Sequence, residues 1–128
     1  MNDPREFFQL ESLRPWLEEH GFYSRDWGLL SAAVERPWAT FEGQDLYPDI
    51  WHKTAALLSS IEANHPLIDG NKRLGALLSA LMLQVHGIHD SAISDDDFFA
   101  LITDVATYHP DVEEIASRLQ KITNLPPR

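Results

Sequence analysis

Residues 65–73 read His-Pro-Leu-Ile-Asp-Gly-Asn-Lys-Arg, placing an imidazole, a carboxylate and two adjacent cations within nine residues. A turn between two helices needs Gly or Asn, but it does not need the rest. His65 is the nearby residue type suited to general-base work near neutral pH. Asp69 offers a hard oxygen ligand able to hold Mg²⁺ against a phosphate. Gly70 allows positive φ and close backbone approach, and Asn71 tolerates similar geometry, so together they can shape a concave nest of N–H donors. Lys72 adds a point charge and Arg73 a planar fork matched to phosphate oxygens. Base, metal ligand, anion cradle and cations are the parts needed to transfer a phosphorus group. Each residue alone has an ordinary reading, since Asp-Gly-Asn is a common turn and Lys-Arg a common solvated face. It is the set, in this order, that points to chemistry. No G-x-x-x-x-G-K-[ST] string occurs, so the loop is not a Walker A phosphate loop.

The whole chain narrows the choices. Its 128 residues suit one domain, 1–128, with a core large enough to need no staples. There is no cysteine, which removes disulfides, thiol nucleophiles and thiolate metal sites. The start, MNDPREFF, has no basic segment of the kind that opens a signal peptide, and the longest nearly apolar run, Leu74–Val85, is too short to span a bilayer. A soluble cytoplasmic protein is expected, with no membrane partner. The net charge is −10, from 10 Lys+Arg against 20 Asp+Glu, and this field would repel nucleic-acid phosphates. Phosphate must therefore be met by a local positive site, and Lys72-Arg73 is the one adjacent pair of cations in the sequence.

The elements that must position this loop read as helices. Asp3-Pro4 looks like a cap and first-turn proline, and a second segment runs from Pro15 to Glu19 and stops at Gly21. Asp26 caps WGLLSAAVER, which Pro37 ends. Between Trp38 and Tyr47 the pattern changes to a small flap or hairpin around Glu42-Gly43-Gln44. Pro48 opens a helix to about Ala63 with Ile50, Leu57, Leu58 and Ile61 on its apolar face. After the loop, Leu74, Leu77, Leu78, Leu81, Met82 and Val85 recur at helical spacing up to Gly87, a natural terminator. Ser94 followed by three aspartates starts the next helix, with Phe98, Leu101, Ile102 and Val105 as its buried stripe. A last helix covers about 111–122, followed by an LPPR tail. The expected fold class is all-α, a compact helical bundle with one short non-helical flap.

The loop resembles the signature H-x-F-x-[DE]-G-N-x-R of the Fic/Doc superfamily, and in particular its Doc branch, which ends in G-N-K-R. GLLSAAVERP at 28–37 and TFEGQDLYP at 40–48 are similar to the helix and flap that precede the loop in Doc-like proteins, so the resemblance covers about residues 26–120. It implies a compact helical Fic/Doc-type domain. It also implies a toxin of a toxin–antitoxin pair, a protein kinase that moves the γ-phosphate of ATP to a Ser or Thr hydroxyl of a translation factor. EF-Tu is the expected substrate and a Phd-like antitoxin the expected partner. By the same resemblance His65 is the base, Asp69 the Mg²⁺ ligand, Gly70 and Asn71 the anion hole, and Lys72 and Arg73 the holders of the transferring phosphate. Thr40, Phe41 and Tyr47 would clamp the target segment.

AMP-transferring relatives continue the pattern as G-N-G-R-x-x-R. This chain has Lys72 where they have Gly and Ala76 where they have Arg, and both differences favour the kinase branch. An adenylylating enzyme and a catalytically silent binding module are the alternatives. Leu67 replaces the usual Phe, so the loop is expected to be anchored with less buried area. The self-inhibiting string [ST]-x-x-x-E-[GN] is absent: Glu42-Gly43 is the one Glu followed by Gly or Asn, and Trp38 stands at the Ser/Thr position. Elsewhere, His86, His89 and Asp90 read as a solvated turn rather than a metal site, and His20, His52 and His109 as isolated. Trp16, Trp27, Trp38 and Trp51 read as core or rim.

Overall fold

The computed structural model describes residues 4–89 and 93–123. The chain runs α1 (Pro4–Phe7), α2 (Leu10–Glu19), α3 (Trp27–Glu35), a 3₁₀ turn (Arg36–Trp38), β1 (Thr40–Phe41), β2 (Gln44–Asp45), α4 (Ile50–Asn64), α5 (Asn71–Val85), α6 (Asp95–Tyr108) and α7 (Val112–Thr123). It is all-α apart from one small hairpin. Asp3 and the LPPR tail lie outside the described residues, as does Asp90.

Helix ends follow local chemistry. The Asp26 carboxylate accepts the Gly28 N–H at 2.8 Å, Asp49 accepts that of His52 at 2.8 Å, and Asp111 that of Glu114 at 2.8 Å. The Ser94 hydroxyl accepts from the Asp97 N–H at 3.4 Å, ahead of three aspartates in the first turn of α6. At the other end of α5, Gly87 takes φ +93°, its N–H donates to Gln84 O and the Ile88 N–H donates to Leu83 O. This pair of bonds satisfies two orphan carbonyls and tucks Ile88 into the core. One boundary departs from expectation. Helix α2 starts at Leu10, so Pro15 lies inside it rather than opening it. Leu10 and Leu13 before the proline and Leu17 after it supply a helical pattern that the proline obscures.

The flap is a tight antiparallel hairpin with Thr40 opposite Asp45 and Phe41 opposite Gln44. Both turn residues have positive φ, +52° at Glu42 and +80° at Gly43, which matches the right-handed twist of the strands. Helix α4 is the centre of the bundle and touches α3, the 3₁₀ turn, α5, α6 and α7. Its Leu57 and Ile61 join a cluster with Phe8, Leu17, Leu30, Leu74 and Leu78, while its Ala55 and Leu58 join a second with Leu83, Leu101, Val105, Ile115 and Leu119. Val85, expected on the buried stripe of α5, is 42% exposed because that stripe has rotated out at the helix end. Among the described residues no helix is long and apolar enough to cross a membrane.

His52 is not isolated. Its ring meets Asp49 at 2.8 Å and Glu113 of α7 at 3.0 Å, tying the start of α4 to the last helix. The Asp49 hydrogen bond raises the His52 pKa, and Glu113 adds to it against partial burial.

Candidate active site

Helix α4 ends at His65, which adopts a left-handed conformation (φ +47°, ψ +61°) and donates its N–H to Ile61 O at 3.1 Å. Pro66 then prevents any continuation of the helix. The chain crosses to α5 through Pro66–Gly70, and this crossing is latched to residues 23–25. The Ser24 hydroxyl and the Arg25 N–H donate to Pro66 O at 2.8 and 2.9 Å, and the Ile68 N–H donates to Tyr23 O at 3.1 Å. The Arg25 guanidinium donates to Asn64 O at 3.1 Å and to His65 O at 3.2 Å, satisfying the last carbonyls of α4. Leu67 is buried in the main apolar cluster and bridges Ser24, so the smaller side chain still anchors the loop.

Asn71 supports the loop in a way that sequence alone does not reveal. Its side-chain oxygen accepts the Leu67 N–H at 2.9 Å and its amide donates to Leu67 O at 3.2 Å. The side-chain amide thereby fixes the loop's shape. Gly70 starts α5 with φ +89° and no side-chain cap, so the first-turn N–H groups of this helix are not satisfied by a neighbouring side chain. A Cβ at Gly70 would lie 2.6 Å from the Arg73 guanidinium, which folds back over the glycine and stands 5.4 Å from the Phe22 ring. The backbone conformation favours glycine, and any Cβ would also require the Arg73 guanidinium to shift.

His65, Asp69, Gly70, Asn71, Lys72 and Arg73 all line one cavity of about 490 Å³, which Ala106 and Thr107 of α6 also border. A helix start without a cap, carrying two cations, has the electrostatics to receive an anion. Asp69 is exposed at its edge. No group of three or more His, Asp or Glu side chains able to hold a metal occurs among the described residues. A Mg²⁺ at Asp69 would therefore complete its oxygen shell from a bound phosphate and water, the usual arrangement for this ion.

The flap residues stand apart from this cavity. Thr40 borders a second, larger cavity of about 850 Å³ with Arg36, Trp38, Ser60 and Asn64. Phe41 is 68% exposed, and the Tyr47 hydroxyl accepts from Arg36 at 3.1 Å. Lys53 holds the flap to α4 through Asp45 and the Tyr47 carbonyl. Two further histidines have local partners: His20 stacks on Trp16, and His86 bonds Met82 O and stacks on Trp38.

A group that sequence reasoning misses also lines the loop's cavity. Glu62, one turn before His65, is fully buried. In the string SSIEAN it looks like any solvated helical glutamate.

Comparison with known proteins decides the family. The Fic/DOC family pattern matches residues 6–83. The chain belongs to the Fic/Doc family. Toxin Doc of Mycolicibacterium smegmatis is 46% identical over 96 residues, 74% of this chain and 74% of that one, which places the chain in the Doc branch. No solved structure gives a significant match. The loop that defines the Fic/Doc signature is thus the loop that frames the 490 Å³ cavity.

Proposed function

We propose that this protein is the toxin of a toxin–antitoxin pair and acts as a Mg²⁺-dependent protein kinase, moving the γ-phosphate of ATP to a Ser or Thr hydroxyl. The observation that carries the reading is the convergence of six loop residues on one cavity at the uncapped start of α5. His65 accepts the proton of the target hydroxyl as its oxygen attacks phosphorus, and ADP departs as the γ-phosphoryl bond breaks. Lys72 and Arg73 neutralise charge on the transferring oxygens, where fixed cations act most strongly. Asp69 would hold Mg²⁺, which would supply further neutralisation of phosphate charge.

Two features favour γ-phosphoryl over adenylyl transfer. Lys72 occupies the position that is Gly in AMP-transferring relatives. Ala76 stands where those relatives carry a second arginine, so this position adds no second guanidinium to that of Arg73; it lines a recess of about 260 Å³ with Lys72, Arg73, Asp95, Phe98, Phe99 and Ile102. The exposed strand pair Thr40–Phe41 and Gln44–Asp45 offers an edge to which a target segment can add, with Tyr47 at its base. EF-Tu is the first substrate to try, and a Phd-like antitoxin encoded nearby is the expected inhibitor. A cytoplasmic location accords with such a target.

The test is growth. Wild-type protein expressed in bacteria should arrest growth, and His65→Ala, folded by circular dichroism, should not. Arrest by a folded His65→Ala protein contradicts the base assignment, and no arrest by the wild type favours a silent binding module.

A further inference from the structure

The cavity holds one ionisable group that phosphoryl transfer does not use. Glu62 is fully buried, and neither of its carboxyl oxygens has a hydrogen-bond partner among the described residues. Helix α5 makes room for it: a Cβ at Gly75 would lie 2.2 Å from Glu62 Oε2. A carboxylate so placed has lost its water without gaining compensating donors. Burial pushes its pKa up to about 7, and Lys72 pulls it partly back. The other titratable groups on this cavity are His65 of α4, Asp69 of the loop, and Lys72 and Arg73 of α5, while α6 contributes Ala106 and Thr107, which do not titrate.

We propose that Glu62 sets the phosphate affinity of the cavity through Lys72. As a neutral acid it leaves the Lys72 ammonium free to hold a phosphate oxygen. As a carboxylate it takes Lys72 as its own counter-ion and places a negative charge behind the anion. The inference deepens the phosphate-site reading and rests on it. By reciprocity, a bound phosphate favours the acid form, so binding takes up a proton. Both forms are populated near neutrality, and affinity falls as pH rises through that range. Glu62 touches no reacting atom in this scheme and is a positioning residue.

Calorimetric titration with ATP, without Mg²⁺ or target, tests this on wild type and Glu62→Gln between about pH 6 and about pH 8.5. ATP and every other side chain of the cavity are common to both proteins, so the difference isolates Glu62. Wild-type affinity should fall about tenfold more than that of Glu62→Gln across the range, the scale expected for one charge a few ångströms from another. Proton uptake on binding, read from buffers of different ionisation enthalpy, should be larger in the wild type. A second uncharged variant, Glu62→Met, keeps the question open to refutation where Glu62→Gln fails to fold: proton uptake no larger in the wild type than in a folded variant overturns the inference. Equal pH slopes overturn the inference alone. Absence of binding by either protein at every pH overturns it together with the phosphate-site reading.

Discussion

Two helices of this chain end on the same dipeptide and lead to opposite outcomes. Helix α4 ends at His65-Pro66 and α6 at His109-Pro110, each histidine left-handed, with φ near +50°, and each bonded back four residues. The left-handed histidine is therefore a helix terminator that this sequence uses twice, and by itself it says nothing about catalysis. The next helix starts differ. After His109 the chain meets Asp111, whose carboxylate caps α7, and Glu113 and Glu114 fill the first turn. After His65 it meets Gly70, no cap, and Lys72 and Arg73 in the first turn. One helix start answers its own N–H groups with acid and would repel an anion. The other leaves them to a ligand and adds two cations. On the proposed reading, anion binding belongs to the helix start, not to the helix end before it.

The largest effect should come from separating the two histidines. His65→Ala and His109→Ala carry similar backbone strain, so they should alter stability by similar small amounts in chemical denaturation. Their activities should part company: loss of a general base lowers the rate by about 100- to 10,000-fold, whereas His109→Ala should arrest growth like the wild type. Equal activity in the two variants would dissolve the contrast.

A middle-sized effect concerns the Glu62–Gly75 contact beneath the active helix start. Gly75→Ala should cost about 1–3 kcal/mol, because its Cβ would overlap Glu62 and press on Leu58. In a Glu62→Ala background the cost should shrink or reverse, since alanine is favoured over glycine in a helix by about 1 kcal/mol. A double-mutant cycle from urea melts reads the coupling. A coupling near zero would mean that the glycine serves something other than the glutamate.

The smallest expected effect is at the answered helix start. Asp111→Ala removes the α7 cap and should cost about 1 kcal/mol of stability, with growth arrest retained. Loss of toxicity in a stably folded Asp111→Ala protein would show that the two helix starts are not functionally distinct.

How far these features can be read from the sequence depends on the range of the interaction. Asp26, Ser94 and Asp95–Asp97 mark helix starts because capping acts over three residues, and the composition of 65–73 marks a site because a turn has no need of so much charge. Pro15 misleads because the helical pattern before it is shorter than the signal of the proline itself. Arg25 cannot be recognised: its role is to answer carbonyls about 40 residues away, and nothing near it indicates that. Asn71 is legible as a loop residue but not as a clamp on Leu67. His52 looks isolated in the sequence because Glu113 reaches it from another helix. Glu62 has one faint sequence signal, a glycine at the second position of the otherwise helix-favouring LGALLSA, and only packing relates that gap to a carboxyl one helix away.

The direction of transfer is tested most directly by intact-mass measurement of a target protein, EF-Tu first, after incubation with this protein, ATP and Mg²⁺. A phosphate increment on a Ser or Thr of the target is expected, absent with His65→Ala. An adenylate increment would contradict the kinase reading, because it would mean that the α-phosphate, not the γ-phosphate, is transferred in a cavity where Lys72 stands in place of glycine.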